Sequence, residues 1–527
     1  MRRSMRPWLA LCAAALPLLA LADAAQDAAL LEAARLQRGD DAIAALAAGA
    51  SASAREPDGT TALHYAAHFG DAKLAAALLA AKADPDARNE FGATPLAEAA
   101  QIGATDTIRV LLKAKADVEA ANAEGQTALM AVARTGNVAA AKLLLKAKAR
   151  VDARESWGGQ TALMWAAARG HADMIRLLIA HGADPDARGA VRDWQRRVTS
   201  EPRPKGMNRG GFTPLLYAAR EGCVPCAKAL LDGGADIDKS DPERTSPLLI
   251  AIMNLRFEMA QFLIDAGADV NKWDFYGQSP LYVAIDMNTL PRGGRPDLPT
   301  EDHVTALDVA KRLLAAGANP DLQLKLRPPY RNYIFDRGGD GVLATGATAL
   351  LRAAKGGDVA AVKLLLEHHA RVDLPNDEGV TPLMVAAGMG HGANPTRGRY
   401  KTDAEGAECA RLLIEAGADI NGRARNQLTA LHSAAMHGWD ETLKLLVSKG
   451  AELEAPDAKG LTPIDYAAGR YERGFLAPEP RPHEPTIALL RGYVTAATGR
   501  APKESSGPPP RRTRSTREAE AGPAAAP

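Results

Sequence analysis

Residues 58–87 read DGTTALHYAAHFGDAKLAAALLAAKADPDA, and residues 158–187 read GGQTALMWAAARGHADMIRLLIAHGADPDA. Both open on Thr-Ala-Leu, pass through an Ala-Ala pair and a Gly, run into a Leu-Leu segment, and close on Ala-Asp-Pro-Asp-Ala. A threonine before an apolar-periodic segment caps a helix, and Pro or Ala at the next position needs no amide donor. The glycine breaks that helix and permits a turn, the leucine pairs give a second helix its core stripe, and Gly or an equivalent before Ala-Asp ends it. The unit is therefore two antiparallel helices followed by an extended finger.

The same anchor recurs as Thr or Ser at 61, 94, 127, 161, 213, 246, 279, 348, 381, 429 and 462, with a basic step of 33 residues. One such unit cannot bury its apolar face alone, so the stack is the folding entity and the fold class is an all-α repeat solenoid of about twelve helix-turn-helix units. The pattern resembles the ankyrin repeat over residues 26–497. That resemblance implies a concave recognition face made by fingers and first helices, a protein partner, and hydrogen bonding by His64 and His432 within their repeats.

Residues 1–22 read as an export leader: Arg2, Arg3 and Arg6, a short apolar run, and the small-x-small site Ala-Leu-Ala at 20–22. Cleavage after Ala22 is expected, placing the mature protein in the periplasm or outside the cell, off the membrane and monomeric. Leu11 is too large for the position before a lipid-modified Cys12, and the arginine pair lacks the rest of a twin-arginine motif. An atypical unit at 23–57 and a Pro-interrupted one at 459–497 read as polar caps flanking the repeats at 58–458, and 498–527 as a disordered tail. The full chain carries +1, and loss of the three leader arginines leaves about −2, which gives no global attraction to nucleic acid.

Cys223 and Cys226 form the only Cys-x-x-Cys. Ten residues before the Asp of the closing Gly-Ala-Asp, Cys226 takes the core column of Leu74, Met174 and Cys409, while Cys223 falls in the turn beside the helix start. A structural disulfide or inert thiols, a redox switch, and a metal or catalytic role all stay open, with the register favouring a staple. No His follows Cys226, which excludes c-type haem attachment. The eleven histidines show no ligand spacing, and residues 336–348 lack the Lys of a phosphate loop and the spaced acids of a calcium loop, so they read as a flexible connection. No nucleophile elbow or dinucleotide fingerprint is present. The expectation is a protein without catalysis, metal or cofactor.

Interruptions of the period carry the functional expectation. From Asp184 to Thr213, and again from Asn319 to Thr348, the finger spans 29 residues instead of the usual 10, placing insertions at 190–208 and 323–341. Two more, at 287–303 and 389–404, separate paired helices. The first finger holds Trp194, Arg196 and Arg197 in a basic stretch; the second holds Tyr330, Arg331, Tyr333, Phe335 and Arg337. Ordinary fingers add Trp157, Trp273, Phe275 and Tyr276. Arginine and aromatic side chains dominate binding hot spots, so these twelve are the candidate partner-binding residues. The expected function is a scaffold gripping another protein through concave face and fingers. The alternatives are a thiol-disulfide module on Cys223 and Cys226, and a secreted effector acting on a protein of another cell.

Overall fold

In the computed structural model every Thr or Ser anchor stands at the start of a helix in extended backbone, and nearly all act as caps. Thr61, Thr94, Thr161, Thr213, Ser246, Ser279, Thr348, Thr381 and Thr429 each accept the amide of the residue three places on. Two differ: the Thr127 hydroxyl is buried and makes no hydrogen bond, and Thr462 donates from both its amide and its hydroxyl to Asp465 Oδ2, each at 3.0 Å. The structure describes residues 24–192, 210–289, 302–326, 328, 342–391, 401–472 and 480–504. Among them there are twelve helix pairs and no strand, only two isolated bridges.

Two compact units divide the chain between Pro242 and Glu243. The first holds α1 (24–35) and α2 (Gly39–Ala47), then α3 (Ala62–His68) with α4 (Ala72–Ala80), α5 (Pro95–Gln101) with α6 (Thr105–Lys113), and α7 (Ala128–Thr135) with α8 (Val138–Lys146). It ends on α9 (Ala162–Ala168) with α10 (Ala172–Ala180), and α11 (Pro214–Glu221) with α12 (Val224–Asp232). The second holds α13 (Pro247–Met253) with α14 (Phe257–Asp265), α15 (Pro280–Thr289) with α16 (Ala306–Ala315), and α17 (Ala349–Gly356) with α18 (Val359–Glu367). Its last pairs are α19 (Pro382–Ala386) with α20 (Asp403–Glu415), α21 (Ala430–His437) with α22 (Asp440–Ser448), and α23 (Pro463–Ala467) with α24 (Glu484–Thr498).

Small residues let neighbouring pairs approach. The alanine pairs 66/67, 99/100, 166/167, 218/219 and 353/354 are buried, as are Leu74, Ile108, Leu144, Met174 and Leu443 of the second helices. Fingers are tied in series by single backbone bonds, for example Glu90 N–H to Asp58 O at 2.8 Å, Ser156 N–H to Glu124 O at 2.8 Å, and Asp377 N–H to Thr345 O at 2.9 Å. Several second helices end on a left-handed residue. Glycine fills it at 182 and 267, but Lys82, Lys115 and Lys148 hold φ of 64°, 65° and 69°.

Three sequence expectations change. Residues 498–504, expected to begin a disordered tail, are held to the last pair: Arg500 and the Lys503 amide bond Glu454, and Glu504 pairs with Arg470 and Arg491. The insertion expected at 389–404 ends inside α20, because Thr402 caps that helix with Glu405 in a reciprocal capping box. The Gly-rich 336–348 is not merely a connection: its residues Val342, Leu343 and Ala344 are buried, and Asn376 donates to the Val342 carbonyl at 2.9 Å.

Candidate functional site: the inner face of the first stack

The first helices present their fourth residue after the anchor on one side of the stack. In the first unit this column reads Tyr65, Glu98, Ala131, Trp165 and Tyr217, and all but Ala131 are half-exposed. In the second it reads Ile250, Val283, Arg352, Val385, Ser433 and Tyr466, all buried. The two stacks thus differ at the same register: the first offers an open face, the second a closed one.

Charge explains part of the closure. Arg352, only 1% exposed, donates from Nε to Asp286 Oδ1 at 2.5 Å. Lys401, from the inserted segment, is also buried. Its Nζ donates to the carbonyls of Ala354, Val385 and Ala386, at the ends of α17 and α19, and lies 5.1 Å from the Trp439 ring centroid. Burial pushes its pKa down to about 7; three acceptors still match the three donors of an ammonium. His391 and His437 stack edgewise at 5.3 Å beside Trp439, and burial lowers them to about 4 and about 3. At Gly390 a Cβ would come 2.4 Å from Val342, so only glycine allows that approach.

On the open face, the fingers of the first stack supply arginines as clamps. Arg154 donates to the carbonyls of Gly159 at 3.1 Å and Arg188 at 2.5 Å, and Arg188 to Gly211 at 3.0 Å. Arg55 and Arg88 reach the next finger in the same way. A carbonyl satisfies a guanidinium donor without neutralising its charge, so the clamps leave the finger edge positive. Between them stands Trp157, 72% exposed, with the Arg192 guanidinium 3.9 Å from its ring centroid. Tyr217 receives a bond from Gln160 at 2.6 Å, and Arg220 lies 5.1 Å from its ring.

The base of the first long finger is closed by Gly189 N–H to Phe212 O and Gly211 N–H to Ala190 O, both at 3.0 Å. Gly210, at φ +75°, has no room for a Cβ, which would sit 2.5 Å from the Ala190 oxygen. The second long finger is closed alike, by Leu324 N–H to Ala347 O at 3.0 Å and Gly346 N–H to Leu324 O at 2.8 Å. Trp194, Arg196 and Arg197 lie outside the described residues, as do Tyr330, Arg331, Tyr333, Phe335 and Arg337. Trp273 is half-buried under Arg244 at 5.1 Å, Phe275 is 40% exposed, and Tyr276 meets it edge-on at 5.3 Å. Of the four candidates among the described residues, Trp157 belongs to the first stack and Trp273, Phe275 and Tyr276 to the second.

Sequence reasoning missed Trp165, Gln160, Tyr217 and the clamp arginines. Their signal was positional, a fixed offset from the threonine anchor, rather than compositional. Cys223 and Cys226 are joined in a disulfide with Cα atoms 5.2 Å apart; Cys226 is buried and Cys223 caps α12. His64 and His432 do more than bond within their repeats. Each Nδ1 accepts the amide of its own anchor threonine, leaving Nε2–H to donate onward to Ala93 O at 3.0 Å and Leu461 O at 3.2 Å in the following finger. Among the described residues no cluster of three metal-ligating side chains occurs.

A family model for ankyrin repeats (3 copies) matches residues 30–122, 115–189, 215–291, 302–394 and 402–473, and a single-repeat model matches 378–425. The human ankyrin repeat and SOCS box protein 16 is 34% identical over 137 residues, covering 24% of this chain and 29% of that protein. Mouse protein fem-1 homolog A-like is 37% identical over 101 residues, 19% of this chain and 13% of that protein. Dog inversin is 33% identical over 122 residues, 23% of this chain and 10% of that protein. The match thus spans less than a third of each relative. With helix pairs, caps and fingers all at the family's period, the chain belongs to the ankyrin repeat family and its repeats make a protein-interaction module.

Proposed function

We propose that this protein is a noncatalytic scaffold that holds another protein against the inner face of its first stack, with the long fingers adding contacts, and that it works in the periplasm or outside the cell. The observation that carries the reading is the open column of Trp165 and Tyr217, flanked by exposed Trp157 and by arginines whose charge their carbonyl partners leave intact. Aromatic and arginine side chains on a half-exposed, preformed face are the residues that dominate association energy, and a face already fixed by stacking loses little entropy on binding. The export assignment rests on the leader at 1–22.

The disulfide fits the same picture as a staple. Cys226 lies in the core column and its partner stands at the cap of α12, so the bond fixes a helix start.

The test is capture from native periplasmic extract by residues 23–527, beside a variant with 190–208 and 323–341 cut to normal finger length. A bound protein that is lost from the variant and from Trp157→Ala supports the scaffold. Capture of the same set by all three refutes it. Fractionation of cells expressing the chain with and without residues 1–22 tests the location: an exported product beginning at Asp23 is expected only from the first.

A further inference from the structure

The inner face of the first stack carries two features beyond a generic interaction surface. One is uncompensated charge. Described residues 127–192 and 210–222 hold eleven Lys and Arg against six Asp and Glu; six of the cations, Arg134, Arg154, Arg169, Arg188, Arg192 and Arg220, stand on first helices, their turns and fingers, and the other five on or just past second helices, where Arg150 pairs with Glu119. The acids are already engaged elsewhere. Glu155 is buried and accepts three backbone amides of its own finger, Asp152 accepts the Asp184 amide, Asp184 that of Asp186, and Asp186 that of Asp236. Asp173 pairs with Arg176 on the second helix, and Glu221 with Arg220. By contrast Arg154 and Arg188 meet only carbonyls, Arg134 meets the Gln101 amide oxygen, and Arg169 is exposed with no partner among the described residues.

The other feature is an aromatic strip: Trp165 and Tyr217 are half-exposed and Trp157 is 72% exposed. Aromatic side chains of this kind supply much of the energy of association. Trp165 stands in the middle of α9, a seven-residue helix about 10 Å long. Arg154 and Arg188 lie beyond its finger end, and Arg134 and Arg169 at the turn end of their own first helices. The positive groups therefore flank the aromatic strip on both sides.

We infer that this face binds an acidic, extended segment of the partner, whose carboxylates pair with Arg134, Arg154, Arg169 and Arg188 while its backbone lies across the half-exposed ring of Trp165. This deepens, and rests on, the scaffold reading above. The spacing sets a register. Stacked units repeat at about 8–10 Å, and an extended chain covers about 3.3 Å per residue, so an acid at every third residue meets successive units.

The experiment uses residues 23–527 and fluorescein-labelled peptides of four Glu-Gly-Ser repeats or four Lys-Gly-Ser repeats, with a labelled twelve-nucleotide DNA strand as a third arm, read by anisotropy at 50 and 200 mM salt. The glutamate peptide is expected to bind, more weakly at the higher salt, and the lysine peptide not at all. Arg169→Glu and Arg134→Glu, both at solvent-facing positions, should each weaken it at least five-fold. Trp165→Ala removes the ring that the segment lies across; it should weaken binding about five-fold, with far-ultraviolet circular dichroism checking that the fold is kept. Equal binding of both peptides, tighter binding of the DNA, or retention of affinity within two-fold in all three variants overturns the inference. A partner captured from extract that Trp157→Ala loses, but that an excess of the glutamate peptide does not displace, overturns the acidic segment while leaving the scaffold standing.

Discussion

Replacing Asp286 by Ala should cost the second stack about 3–5 kcal/mol, the range for breaking a buried ion pair from one side. The geometry sets this scale. Arg352 is 1% exposed and the Asp286 side chain 12%, with Nε and Oδ1 at 2.5 Å. The charge centres then lie roughly 4 Å apart, worth about 4 kcal/mol at an effective dielectric of 20. The substitution removes that attraction but leaves the guanidinium in a site that water reaches poorly, so its desolvation is no longer offset by this carboxylate. Removing both charges should behave differently: Asp286→Leu with Arg352→Met should cost less than Asp286→Ala alone, because neither charge of this pair is then buried without the other. The assay is urea denaturation of residues 23–527 followed by far-ultraviolet circular dichroism, with hydrogen exchange on α15 and α17 to localise the loss. A cost below about 1 kcal/mol for Asp286→Ala, or a double variant as unstable as the summed single ones, would refute the claim that this pair closes the inner face electrostatically.

Lys82→Gly, Lys115→Gly and Lys148→Gly should each stabilise the first stack by about 0.5–1 kcal/mol in urea melts: relief of the left-handed strain at φ near 65° outweighs the larger unfolded-state entropy of glycine. Acid should destabilise the second stack. His432 is fully buried and burial lowers it to about 4, with His391 and His437 lowered alike. The unfolded chain, with histidines near 6.5, takes up protons first, so stability is constant on this account above pH 6.5 and falls between about 6.5 and 4, by about 2 kcal/mol at pH 5 for His432 alone; denaturation at pH 7 and 5 checks the slope, which His432→Gln should reduce. Reducing the Cys223–Cys226 bond should cost no more than about 2 kcal/mol, because so short a loop recovers little chain entropy; a larger loss in dithiothreitol melts would mean the bond does more than tether the α12 cap.

The period was legible because its parts are local. A threonine cap, an Ala-Ala pair and a left-handed helix end each follow from a few neighbouring residues, which is why Cys226 could be placed in the core column from spacing alone. Lys401 shows the opposite case. Within RGRYKTDAEG it reads as a surface residue, yet it is buried because α17 and α19 end side by side and present three carbonyls to it. Val342–Ala344 similarly look like loop filler until Asn376 and Gly390 provide a place to pack. Trp165 was passed over because a half-exposed first-helix position acquires meaning only from what the adjacent unit and finger place beside it.

The insertions bear on why the two stacks differ in what they expose. A repeat whose helices satisfy their own backbone and bury each other tolerates added chain at only two points, between the paired helices and within the finger, and the long segments occur at those points. In the second stack the added residues supply Lys401, which caps two helix ends, and Val342–Ala344, which lie buried, and the whole inner column there is out of solvent. Its polar groups are spent on holding the stack shut. In the first stack the finger arginines spend their donors on carbonyls, which fixes finger register while leaving the positive charge available. A structural bond that does not neutralise its charge can serve two purposes at once, and in the proposed scaffold it puts the recognition chemistry on Arg154 and Arg188 at one edge and Trp165 and Tyr217 at the centre.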